Sequence, residues 1–88
     1  MESTQKALTV DDLIVGHIYS AKRKSVDPFG LVNDRQILYI EKVLGTVQYD
    51  SPTVARGRHY PKVSIDKFLR WAKEDVTSQM PKGEWRSE

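Results

Sequence analysis

The chain has 88 residues, 39% of them hydrophobic, with 14 Lys and Arg against 12 Asp and Glu and no cysteine. That length allows one domain with one small core. The missing cysteine excludes disulfides, thiolate chemistry and Cys-based zinc sites, and no apolar run approaches the roughly 18 residues of a membrane span.

Residues 1–9 are polar and aperiodic, and read as a flexible N-terminus without the basic start and apolar run of a signal peptide. Thr9 stands three residues before Asp12, the spacing of a capping box, so one short helical turn is expected, stopped at Gly16. His17–Arg23 reads as a first strand, led by the strand formers Ile18 and Tyr19. Asp27-Pro28, Gly30 and Asn33-Asp34 then punctuate a loop.

Gln36–Val43 is the clearest strand. Its apolar residues fall on both faces, Ile37 and Tyr39 on one and Leu38 and Ile40 on the other, which predicts a central or tightly curled position. Leu44-Gly45 turns it into a second strand that alternates through Val47 and Tyr49. Residues 51–62 read mostly as loop with a short strand near Val54 or His59-Tyr60, and Pro52 and Pro61 confine any pairing there to an edge.

A helix over 64–77 is expected next. Ser64 fits its N-cap and Asp66 its first turn, where the helix dipole favours an anion. Ile65, Phe68, Leu69, Ala72 and Val76 form one buried stripe, with Lys67, Arg70 and Lys73 pointing away from it and Trp71 at its margin. Pro81 and Gly83 stop any continuation, leaving 78–88 as a flexible tail. Residues 10–77 thus form a single α+β domain, a small curled antiparallel sheet or partly open barrel closed by one C-terminal helix.

The chemistry this chain can carry is narrow. His17 and His59 lie in no metal or catalytic motif, Asp11-Asp12 is a dipole-favoured cap rather than a cation site, and Asp50-Ser51 lacks any frame that would make the serine a nucleophile. The five glycines are scattered and build no phosphate loop. No cofactor, no metal, no membrane and no enzymatic reaction are expected.

Charge distribution is more informative than net charge. Lys22, Arg23 and Lys24 form one basic cluster, and residues 56–73 carry Arg56, Arg58, Lys62, Lys67, Arg70 and Lys73 against Asp66 alone. Arg56, Arg58 and Lys62 are candidate phosphate contacts, beside His59 and with Tyr60 as a stacking face. Lys67, Arg70 and Trp71 extend the candidate surface onto the helix, although Asp66, Arg70 and Glu74 at i, i+4 spacing pair part of that charge internally.

Gly16-His17-Ile18-Tyr19, "DRQILYI", "VQYDSP", "GRHYP" and "SIDKFLRWA" together resemble small proteins of bacteriophages, prophages and mobile elements that pair a hairpin with a closing helix. The resemblance covers about residues 13–74. It implies an SH3-like small barrel in a bacterial cytoplasm and carries over no catalytic residue and no ligand. The expected function is a non-enzymatic binding module that touches nucleic acid or a nucleoprotein through its basic loop. The alternative is a protein-interaction module, or inhibitor of a host protein, that uses a sheet edge and aromatic residues such as Tyr60 and Trp71.

Overall fold

A computed structural model describes residues 7–54, 59–81 and 85–87. Its elements in chain order are a 3-10 turn (Val10–Asp12), β1 (Ile18–Ala21), β2 (Arg35–Glu41), β3 (Thr46–Asp50), β4 (Lys62–Ser64), α1 (Ile65–Trp71), β5 (Ala72–Asp75) and a second 3-10 turn (Thr77–Gln79). The five strands make one antiparallel sheet in the order β4-β3-β2-β1-β5. The order does not close on itself, so β4 and β5 are the two edges of an open sheet with one helix. No helix among the described residues is long and apolar enough to cross a membrane.

The two-sided apolar pattern of β2 has a local cause. Ile37 pairs with Tyr49 and Tyr39 with Gln48, so the register slips between them and Leu38 is the extra residue of a bulge. The slip changes which residues share a face. Ile37 is fully buried and Ile40 packs against the core, whereas Tyr39 is exposed on the opposite face. Tyr39 therefore does not meet the helix, contrary to its expected partnership with Ile37. The hairpin to β3 turns through Gly45, whose φ of +70° lies in the left-handed region that side chains disfavour.

The expected helix over 64–77 is half as long. Ser64 caps α1 as anticipated, its hydroxyl accepting from the Lys67 N–H at 3.0 Å. The chain leaves the helix at Ala72, which is extended, and Ala72–Asp75 becomes β5 along β1. Ala72 and Val76 are buried as the stripe required, but from a strand and its continuation. A spacing of four satisfies both a helical turn and two strand repeats, so the pattern alone does not distinguish them. Pairing with β1 does, through bonds such as Lys22 N–H to Trp71 O and Val76 N–H to Ile18 O, both 2.8 Å.

The core lies between the sheet and α1. Phe68 is fully buried at its centre, with ring centroids 5.9 Å from Tyr19, 6.2 Å from Tyr49 and 5.2 Å from Trp71. The Tyr19 hydroxyl donates to Asp12 O at 2.8 Å and accepts from Ile14 N–H at 2.9 Å, which fixes the entry segment. Burial raises the Tyr19 phenol above its ordinary value despite the bond from Ile14.

Both expected flexible ends are partly tied down. Leu8 packs on the core, and Thr9 donates its backbone N–H to Asp12 at 2.8 Å. At the other end, Val32 N–H donates to Arg86 O at 2.9 Å and Leu31 bridges to Ser87. The Arg86 guanidinium meets Asp34 with two bonds, Nε to Oδ2 at 2.7 Å and Nη2 to Oδ1 at 2.8 Å. Asp34 is fully buried, so this planar two-bond pairing is what its charge requires.

Candidate functional site

The expected site residues do not form one surface. Arg56 and Arg58 lie outside the described residues. His59, Tyr60 and Lys62 are exposed beside or on β4, at one edge of the sheet. Lys67 and Arg70 point outward from α1 as expected. Trp71 is committed to the interior. It is half-buried against Phe68, and the Arg35 guanidinium lies 4.2 Å from its ring centroid and 4.3 Å from that of Tyr49. Burial lowers Arg35 from its ordinary value, which the Tyr49 phenol partly offsets. Two ring faces replace part of the lost hydration of this cation.

Lys73, two residues after Trp71 in the same basic run, is carried by β5 to the opposite edge. There it joins the other basic cluster. Lys22, Lys24, Lys73 and Arg86, with Ser20, Asn33 and Glu74, line a concave pocket of about 170 Å³. The bond from Lys22 N–H to Trp71 O sets Lys22 beside the start of β5. Asn33 fixes the backbone on both sides of Lys24, accepting from Ser25 N–H at 2.9 Å and donating to Arg23 O at 3.2 Å. Arg86 is neutralised by Asp34, and burial there is outweighed by that pairing, which holds its guanidinium above its ordinary value.

A larger cleft of about 380 Å³ lies on the outer face of the sheet, lined by Ile18, Gln36, Asp50, Thr77, Met80, Pro81 and Trp85. Its floor is one cross-strand row, since Ile18 pairs with Gln36 and Gln36 with Asp50. Its wall is the segment after β5, held down by the Arg86–Asp34 pair next to Trp85. The cleft and the basic pocket are neighbours. Ile18 lines one and Ser20 the other, two residues apart on the same face of β1, a rise of roughly 7 Å.

Histidine 17 has a partner that sequence spacing hid. Its Nδ1 lies 2.7 Å from Asp75 Oδ2, across 58 residues. Asp75 also accepts from the Thr77 N–H at 2.9 Å and hydroxyl at 2.5 Å, while the Thr77 hydroxyl accepts from Ile18 N–H at 2.9 Å. The chain of bonds clasps β1 to the end of β5. The Ser51 hydroxyl bonds Thr53 at 2.9 Å, with no histidine bonded to it among the described residues. Among the same residues no three His, Asp or Glu side chains gather as a metal site.

Burial raises the Asp75 carboxyl, but the bonds from His17 and Thr77 outweigh it and hold it below the ordinary value. A depressed carboxyl stabilises the fold above its unfolded value, and that contribution is lost as pH falls through the folded one. Asp75→Asn is therefore expected to cost about 1 kcal/mol or less at pH 5, the exposure of the pair limiting it. The gap to wild type should begin to close as pH falls below about 4, the ordinary carboxyl value, and go on closing as pH passes the lowered folded value. Thermal melts of both proteins across that range check it, and a gap that stays constant would remove Asp75 as the titrating group.

No protein-family model, no curated protein and no solved structure matches the chain.

Proposed function

We propose that this protein is a non-enzymatic binding module that contacts nucleic acid through the phosphate backbone, on a sheet of SH3-like arrangement. The observation that carries the reading is the basic pocket, in which Lys22, Lys24 and Lys73 come from two separated stretches of chain to line one concavity. The lysines outnumber the lining carboxylate of Glu74, which favours an anion, and lysine serves phosphate as a point charge. The strand order, with the last strand beside the first, supports the SH3-like description, as does the resemblance of its hairpin and helix motifs to phage and mobile-element proteins. The exposed Lys62, Lys67 and Arg70 add to the positive field from the other edge.

Lys22→Ala with Lys73→Ala is the test. Both side chains are exposed, so the melting temperature should barely move. Affinity for single-stranded or duplex oligonucleotides at about 50 mM salt should fall, and the slope of log affinity against log salt should flatten by about 1.4–1.8, two phosphate contacts' worth. Absence of any wild-type binding at that salt overturns the reading.

A protein-interaction reading has its own observation. Val43 and Leu44 at the β2–β3 turn are 93% and 76% exposed, and Phe29 is 87% exposed. Phe29 sits on a rigid loop, since Asp27 Oδ1 accepts from both Phe29 N–H and Leu31 N–H at 2.9 Å. Apolar side chains presented on fixed turns suit a protein partner. Tyr60 keeps its place among its anchors, whereas Trp71 is occupied by Arg35 and Phe68.

A further inference from the structure

The geometry points to the outer-face cleft as a binding site for a small organic cation, an alkylguanidinium or alkylammonium whose head meets Asp50 and whose carbon body lies along the apolar lining. The site is separate from the basic pocket and stands whether or not that pocket takes nucleic acid.

Formal charge is what selects the ligand. The neutral hydrogen-bonding groups of the cleft are of both kinds. Gln36 donates one Nε2 N–H to Gly16 O at 3.1 Å and keeps the other, with its carbonyl Oε1, for a ligand, and Trp85 carries an indole N–H. The Thr77 hydroxyl is consumed, donating to Asp75 and accepting from Ile18 N–H. Asp50 is the one acidic or basic side chain among the described lining residues. Its Oδ1 accepts from Ser51 N–H at 2.8 Å, and among the described residues no cation is bonded to Oδ2. A half-buried carboxylate in a hollow without a counter-ion is complementary to a cation.

The floor of the cleft is graded in the same sense. Ile18, Gln36 and Asp50 stand in one cross-strand row, so the surface passes from apolar through neutral polar to charged over two strand spacings, roughly 10 Å. Met80, Pro81 and Trp85 add apolar lining, and an indole face attracts a cation as well as covering its carbon chain. The volume of about 380 Å³ lies in the range of small-ligand sites. A molecule with a charged head toward Asp50 and an apolar tail toward Ile18 matches this gradient. A neutral ligand of the same shape would leave the carboxylate without a counter-ion.

The experiment titrates the isotope-labelled full chain with n-butylguanidinium, n-butylammonium and n-butylurea, the neutral isostere of the first. NMR follows the backbone amides of Asp50 and Ile18 and the indole N–H of Trp85. At least one cation should bind about tenfold or more tightly than butylurea, and the tighter of the two identifies the head group. Asp50→Asn can keep the bond to Ser51, so its melting temperature should stay near that of wild type while the advantage over butylurea vanishes. Trp85→Ala should weaken the cations by about threefold. Lys22→Ala should leave them unchanged. Equal affinity for butylurea and the cations overturns the site, as does binding of neither cation or undiminished cation binding by Asp50→Asn. Shifts of the same size beside the exposed Asp11 and Asp66 would mark general surface ion pairing and also overturn it.

Discussion

Phe68→Ala is expected to cost about 3–5 kcal/mol, most or all of the stability of a domain this size. Phe68 is fully buried, and the rings of Tyr19, Tyr49 and Trp71 surround it at centroid distances of 5.2–6.2 Å. Removing it deletes a ring that meets all three. The loss includes edge and tilted aromatic contacts beyond the buried area, and the cavity has walls on both the helix and the sheet. Neighbouring collapse is restricted, because Tyr19 is held by two hydrogen bonds and Tyr49 and Trp71 by the Arg35 between them. Urea unfolding monitored by circular dichroism measures the change. A cooperative transition within a few tenths of a kcal/mol of wild type would show that α1 is not the lid of this core.

Arg86→Ala is expected to be nearly as damaging, about 3–5 kcal/mol, although Arg86 belongs to no helix or strand of the sheet. The cost arises at Asp34, which has no exposed surface and would keep a buried charge without its cation. Arg86 is itself partly exposed, so exposure at position 86 gives no hint of the effect. The double variant Asp34→Leu with Arg86→Met separates charge from packing. It should recover most of the loss, because a well-packed apolar pair of similar volume is often as stable as a buried ion pair. If Arg86→Ala alone melts within a degree or two of wild type, the latch contributes little and the wall of the outer cleft has another support.

The parts of this fold that were legible from sequence rest on local chemistry. The cap at Ser64, the Thr9–Asp12 turn and the hairpin around Leu44-Gly45 each depend on a few adjacent residues, whereas the short strand expected near Val54 or His59-Tyr60 lies instead at Lys62–Ser64, after Pro61. Failures occurred where two periodicities coincide or a distant segment decides. Leu38 looks like any strand residue until its bulge shifts the face of Tyr39. Ala72–Asp75 has helix-forming composition, and only β1, more than 50 residues upstream, makes it a strand. Placement of the basic residues was hidden for the same reason. Lys62 and Lys73 belong to one basic run in sequence but lie at opposite edges of the sheet, Lys73 beside Lys22 and Lys24. No spacing rule joins His17 to Asp75 or Asp34 to Arg86. The one usable sign was Asp34 itself, an acid directly before the strongest strand.

The pairing of β1 with β5 also sets the order in which the molecule assembles. The β2–β3 hairpin closes over a turn of a few residues, while joining Tyr19 to Asp75 closes a loop of about 55. That difference is worth about 2 kcal/mol of chain entropy, charged before any contact of the long loop forms. The hairpin is therefore the early event and β5 the late one. In kinetic terms, changes at Arg86 should act mainly on the unfolding rate and changes in the hairpin on the folding rate, which the two arms of a chevron plot resolve.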